Sequence, residues 1–350
     1  MRTWIEAGGQ PEYHRLCASI LALARAAIGR LAGRDGETSA SPSARPRLSE
    51  AKFAERSDEL RTAWIAAEQL VPGGGPLGRL DRILRSSASF VEPMLLALAA
   101  APALDRGVAL GYARLDREPL TAGLLLDLAS ATEANRLALC GALHPDAALR
   151  RSGVLLAGGP DGAAATAADT RLAVAPPVLS VLRCEPVPLP RGVEELSPVP
   201  VAGAALRVLG ALGVSPVRAG DLVAIAGGAA HHDAHVEALA RLLAGADGAQ
   251  VWRLRLDDHA EPDWAGVARD AALANAICLV TADTGGAWTR RLRWAVERSL
   301  RSAICSFVIA PPHELAPVVD LAVVRERAAL DRVQALADEP ITADLVARLR

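Results

Sequence analysis

Two kinds of hydrophobic pattern divide this chain, and the change falls near residue 200. Before it, apolar positions recur mostly at helical spacing. HRLCASILALARAAIGRLA (14–32) sets apolar residues three and four apart, with Arg15, Arg25 and Arg30 between them, and predicts an amphipathic helix. Its apolar stripe suits packing, an oligomer contact or a membrane surface. A second helix is expected over 48–70, starting near Ser49 and ended by VPGGGPLG (71–78). LDRILRSSASFVEPMLLALAAAPALD predicts two more. Thr121 precedes AGLLLDLAS and Thr132 precedes EANRLALCGAL, each placed as an N-cap. LRRSGVLLAGG runs from a helix end into a short strand, and the small polar residues 158–170 suit a hairpin tip. RLAVAPPVLSVLRCE then supplies a returning strand and a last helix. Short helices followed by a small hairpin are compatible with a winged-helix-like module.

After residue 200, strand-like runs alternate with helical stretches. DLVAIAG is followed by HVEALARLLAG, AQVWRLRL by WAGVARDAALAN, AICLVTAD by TRRLRWAVERSL, and AICSFVIAP closes the series. Strands separated by helices predict a parallel α/β sheet of three layers. Ligands of such sheets sit beyond the carboxyl ends of the strands, here residues 227–233, 257–259, 281–285 and 310–313. GRDGETSASPSARPR (33–47) reads as a flexible linker, and the proline-rich PVPLPRGVEELSPVP (186–200) as a domain boundary. The expected organisation is a helix and linker (1–47), a helical, winged-helix-like domain (48–185), a linker (186–200) and an α/β domain (201–350).

LVAIAGGAAHHDAHVEALARLL (222–243) has the outline of a strand, a phosphate-holding turn and a helix. A P-loop needs G-x-x-x-x-G-K-[ST], in which backbone N–H groups cradle phosphate, the lysine neutralises it and the hydroxyl serves Mg²⁺. With Gly227 at the first glycine and Gly228 beside it, His232 falls at the second glycine, Asp233 at the lysine and Ala234 at the hydroxyl. A carboxylate at the lysine position repels phosphate. The acid expected at the end of the third strand is replaced by Thr281 and Ala282, with Asp283 one or two positions late. The strand after it ends in Ala310 and two prolines. Three losses in register argue against ATP hydrolysis. Asp233 then reads as a helix N-cap, and the glycines as a plain strand-to-helix turn.

Two rival constellations lie nearby. In HHDAH, His231, Asp233 and His235, with His259 on the same sheet edge, have the residue types of a zinc site. The opposing reading is solvated loop histidines at 231 and 232 and a helix cap at 233. In WTRRLRW, Trp288 stands with Arg290, Arg291 and Arg293, ahead of Trp294 and Arg298. That group suits an interface anchor or base stacking, against a core tryptophan on a helix with a solvated arginine face.

Composition narrows the choice. The charge is close to balanced, 38 Lys and Arg against 40 Asp and Glu, and Lys52 is the only lysine. Balance disfavours general nucleic-acid binding. Five scattered cysteines (17, 140, 184, 278, 305) without CxxC spacing suggest no disulfide framework and fit a reducing, cytoplasmic compartment. Cys278 and Cys305 fall inside apolar strand runs, where burial is expected. The most apolar runs are broken, for example by Asp105 and Asp127, before they reach membrane-spanning length.

FVEPMLLALAAAPALDRGVALGYARLDREPLTAGLLLDLAS (90–130) and ATEANRLALCGALHPDAALRRSGVLLAGG (131–159) together resemble the N-terminal region of a group of large bacterial AAA+ ATP-binding proteins. Members of that group are often associated with phage-tail-like contractile injection systems. Residues 79–185 match best, LRRSGVL (149–155) most specifically. Ala100, Ala101, Pro102 and Ala103 depart from the group's LAPE-like tetrapeptide. The resemblance implies a winged-helix-type region and a degenerate AAA+-like domain, with a lid and an intact ATPase domain expected only after residue 350. It therefore implies the regulatory half of such a machine: a pseudo-ATPase without a resident cofactor, docking on protein partners such as an active AAA+ subunit or an injection-system component, or on copies of itself. An ATP- or ADP-binding subunit is the first alternative, and a metal-dependent enzyme using HHDAH the second.

Overall fold

A computed structural model of the chain describes residues 8–35, 45–71, 75–84, 90–115, 120–130, 132–158, 167–197, 221–226, 249–256, 264–282 and 305–310. The protein is mixed α/β, mostly helical with small sheets, and divides into two compact units, 1–187 and 188–350. The division falls inside the proline-rich stretch.

In the first unit, α1 (Pro11–Asp35) and α2 (Arg45–Glu68) pack along each other. Tyr13, Leu16, Ile20, Leu23, Ala24 and Ala27 form the buried stripe of α1, and Phe53, Leu60, Trp64 and Ala67 that of α2. The spacing of three and four is what a helix needs to bury one face. That stripe faces α2, α4, α5 and α6 within this unit. The first helix is thus part of the same core as the domain that follows it, not an appendage to it. Residues 36–44, the middle of the expected linker, lie outside the described residues.

The two further predicted helices are α3 (Gly75–Leu84) and α4 (Val91–Leu104). Residues 92–101 of α4 are all buried. A helix apolar on every side has to be the centre of a bundle. No single described helix is long and apolar enough to cross a membrane. Asp105 ends α4 in an extended conformation, and its Oδ1 accepts from the Val108 N–H at 2.8 Å, which starts α5 (Arg106–Leu115). The chain turns by 109° there.

The two threonine caps stand where the sequence puts them. Thr121 Oγ1 accepts from Leu124 N at 3.1 Å to open α6 (Ala122–Ala129), and Thr132 Oγ1 accepts from Asn135 N at 3.2 Å to open α7 (Glu133–Cys140). A short α8 (Ala148–Arg151) leads into β1 (Leu155–Gly158), which pairs antiparallel with β2 (Arg171–Val174) in the register Leu155 to Val174. Thr121 forms a further antiparallel bridge to Arg171. The unit ends in α9 (Pro176–Leu182).

The second unit is built on a five-stranded sheet. The four strands expected from the sequence are present: β4 (Asp221–Ala226), β5 (Gln250–Leu256), β6 (Ala276–Ala282) and β7 (Cys305–Ala310). They run parallel in the order β5-β6-β7-β4. A strand the sequence reading does not anticipate, β3 (Val193–Leu196), joins β5 antiparallel on the outside. It lies within the stretch read as linker. Four residues with two glutamates carry little strand signal, and the neighbour decides their conformation. Glu194 and Arg253 fasten the pair with an ion pair at 2.9 Å. Val251 and Trp252 are both buried, so β5 is covered on its two faces as a parallel strand should be. Helix α10 (Trp264–Ala274) packs on β6.

Candidate functional site

The edge at which β4, β5, β6 and β7 end is the place where the sequence sets its candidate ligand turn. The ladder places Ile225, Ile309, Thr281 and Arg255 in one row across the sheet. One residue further on, Ala226 pairs with Ala310 and Leu256 with Ala282. Adjacent strands lie about 4.8 Å apart, so the ends of β4 and β6, separated by β7, are about 10 Å apart. By residue type the strand termini are Ala226, Leu256, Ala282 and Ala310.

Gly227, Gly228, His232, Asp233 and Ala234 lie outside the described residues, as do His231, His235 and His259 of the possible metal set and Asp283. Trp288, Arg290, Arg291 and Arg293, the interface candidates, lie outside them too. No group of three or more His, Cys, Asp or Glu with metal-ligand geometry occurs among the described residues. Cys278 is buried within β6, and burial pushes its thiol up to about 12, so it stays protonated and unreactive.

The first unit presents a second surface, built by α6 and α7. Arg30, near the end of α1, donates through Nη2 to the carbonyls of Asp127 at 3.2 Å and Leu128 at 2.8 Å. These are terminal carbonyls of α6, which have no partner within the helix and are suited to a cation. The guanidinium lies 4.2 Å from the centre of the Phe53 ring of α2. One side chain thereby ties α1 and α2 to the end of α6. Asp127 in turn accepts from Arg136 Nε of α7 at 2.7 Å, and Glu133 lies 3.8 Å from the same guanidinium. The Arg136 charge is matched by carboxylates on both sides.

The outward face of α7 is apolar. Leu137 is 65% exposed, and Ala134, Ala138 and Cys140 are exposed with it, while Leu139 is buried. The sequence did carry a signal for this. Leu137 and Leu139 are two residues apart and cannot share a helix face, so one of them must point away from the core. The hairpin presents a smaller apolar surface through Leu156, Ala157 and Ala173.

Compared with models of known families, with curated proteins and with solved structures, the chain matches none.

Proposed function

We propose that this chain is a non-catalytic, AAA+-like protein, a pseudo-ATPase that works as a docking or regulatory module for an AAA+ machine linked to a contractile injection system. The strand order carries the reading. In P-loop sheets of the AAA+ kind, the strand before the phosphate turn is separated by one strand from the strand that ends in the acid. Here β7 stands between β4, which precedes Gly227, and β6, which precedes Asp283. Rossmann and flavodoxin sheets use other orders.

The degenerate turn supports the absence of hydrolysis, because Asp233 and Ala234 stand where a lysine and a hydroxyl would serve phosphate and Mg²⁺. The arrangement of the first unit supports a winged-helix-type module. An isolated bridge residue, Thr121, comes first, then the helices α6 and α7, then a hairpin whose second strand bridges back to Thr121. Its exposed α7 favours a protein over nucleic acid. Phosphate backbones are bound through uncompensated Lys and Arg, and α7 offers Leu137 and alanines beside a neutralised Arg136.

Calorimetric titration of the purified chain with MgATP and with MgADP tests this. No saturable heat up to millimolar nucleotide is the expected result. Binding at micromolar strength would replace this reading with a nucleotide sensor, its phosphates held by backbone N–H groups. ATP hydrolysis lost on changing Gly227 or Asp233 would overturn it altogether.

A further inference from the structure

Among the described residues, the two most exposed large apolar side chains are Leu137 of α7, at 65%, and Leu110 of α5, at 54%. Scattered exposed leucines are ordinary. These two differ in what shares their helix face. In α5, Val108 and Tyr112 are buried one turn apart. Arg106, Leu110 and Arg114 recur at intervals of four on the opposite side, and all three are exposed. In α7 the buried residue is Leu139. Glu133, Ala134, Leu137 and Gly141 turn away from it and are exposed. A Cβ added at Gly141 would meet nothing within 4 Å, so the helix end is open on this side. α5 packs on α1 and α4, and α7 packs on α6. Each helix is held by one side and presents the other.

The two presented faces are opposite in charge. Arg106 and Arg114 have no ion-pair partner among the described residues. On α7, Glu133 shares Arg136 with Asp127. Two carboxylates against one guanidinium leave a negative charge over. Asp146, past the end of the helix, is a second exposed acid, 3.7 Å from the His144 ring. Spacing matches as well as sign. Glu133 lies four residues before Leu137, and each arginine lies four residues from Leu110. Four residues are about 6 Å along a helix axis. With Leu110 set on Leu137, one arginine therefore reaches Glu133 whichever way the helices run. Neither face can do this with its own copy. α5 against α5 sets arginine among arginines, and α7 against α7 offers Glu133 no uncommitted cation.

We propose that this chain associates with itself, α5 of one copy docking on α7 of another, with Leu110 against Leu137 and an α5 arginine against Glu133. The inference rests on the reading of α7 as a protein-docking surface and is independent of nucleotide binding at the turn after β4. Two such contacts related by a twofold axis close a dimer, and a single contact passes from copy to copy. The faces are small beside a standard interface of about 1,600 Å², so the association is weak and depends on concentration. Its ion pairs lie at the surface, so salt weakens it further.

Sedimentation of the full chain from micromolar to near-millimolar concentration at low salt tests this. The mean mass should rise above that of one chain and fall back when salt is added. Leu110→Ala and Leu137→Ala place alanine at exposed helix positions, keep the fold and should each weaken association about tenfold, as loss of an interface anchor does. Arg106→Glu combined with Arg114→Glu should abolish it, and so should Glu133→Arg. Mixing these two variants should restore it, because the intact α5 of one meets the intact α7 of the other and the reversed charges meet at the second contact. Leu156→Ala, on the hairpin, should change nothing. A chain that remains a single copy throughout overturns the proposal and leaves the nucleotide titration unaffected. Association that survives the α5 and α7 substitutions, or that is not restored by mixing, overturns it too.

Discussion

Tyr112 donates its hydroxyl to the carbonyl oxygen of Leu98 at 2.9 Å, across the bend between α4 and α5. That carbonyl is the one Pro102 cannot serve. A residue four places on normally supplies the N–H, and proline has none. The buried phenol fills the gap in the last turn of the central helix, and burial raises its own ionisation well above the ordinary tyrosine range.

Tyr112→Phe should therefore cost about 1–3 kcal/mol, the range for stranding a buried acceptor. Pro102→Ala restores a backbone donor to Leu98. The double variant should lose less stability than Tyr112→Phe alone, and a urea-denaturation double-mutant cycle measures the difference. Additive effects would show that the two residues do not share this acceptor.

Arg30 makes a long-range tie within the first unit. Arg30→Met removes both bonds to the end of α6 while keeping most of the apolar stem. A loss of about 2–3 kcal/mol is expected, since hydrogen bonds to charged groups exceed neutral ones. Hydrogen exchange should report faster opening of α6 than of α4, because the carbonyls released belong to α6.

The caps can be compared directly. Thr121→Ala and Thr132→Ala should each destabilise by about 0.5–2 kcal/mol. Thr121 sits at the start of the buried α6, whereas α7 is mostly exposed. Thermal melts should therefore show the larger loss for Thr121→Ala, because its cap bond is part-buried and that of Thr132 is exposed, and equal losses would mean that burial adds nothing to the cap.

Alkaline pH should weaken both units. Cys184 and Cys278 are held up at about 12, against an ordinary thiol near 9. A raised acid keeps its proton in the folded state after the unfolded chain has lost it. The stabilisation is full below pH 9 and declines as pH rises from 9 towards 12. Denaturation midpoints should be level from pH 7 to 8.5 and fall above pH 9, with a shallower fall in Cys278→Ala.

Much of the architecture is local and hence legible in the sequence. Thr121 and Thr132 mark helix starts because a side-chain oxygen three residues before a free N–H is a short-range relation. Leu95, Leu96 and Leu98 fix α4 as central because no helix can expose so continuous an apolar surface. The four strand runs after residue 220 are recognisable because short apolar runs spaced by helical stretches have little choice but a parallel sheet. Gly227, Asp233 and the change of chemistry around them are matters of residue identity and are read without coordinates.

Tertiary structure decided the rest. Nothing in DLVAIAG says that it neighbours AICSFVIAP instead of the strand that follows it, because strand order depends on pairings between residues some eighty positions apart. VEEL becomes β3 only because β5 offers it an edge. Arg30 reads as one arginine of an amphipathic stripe until α6 ends beside it. The donor that Pro102 lacks comes from Tyr112, on the next helix. Periodicity and capping act within a few residues of the chain, and these contacts exist only when distant segments share one core.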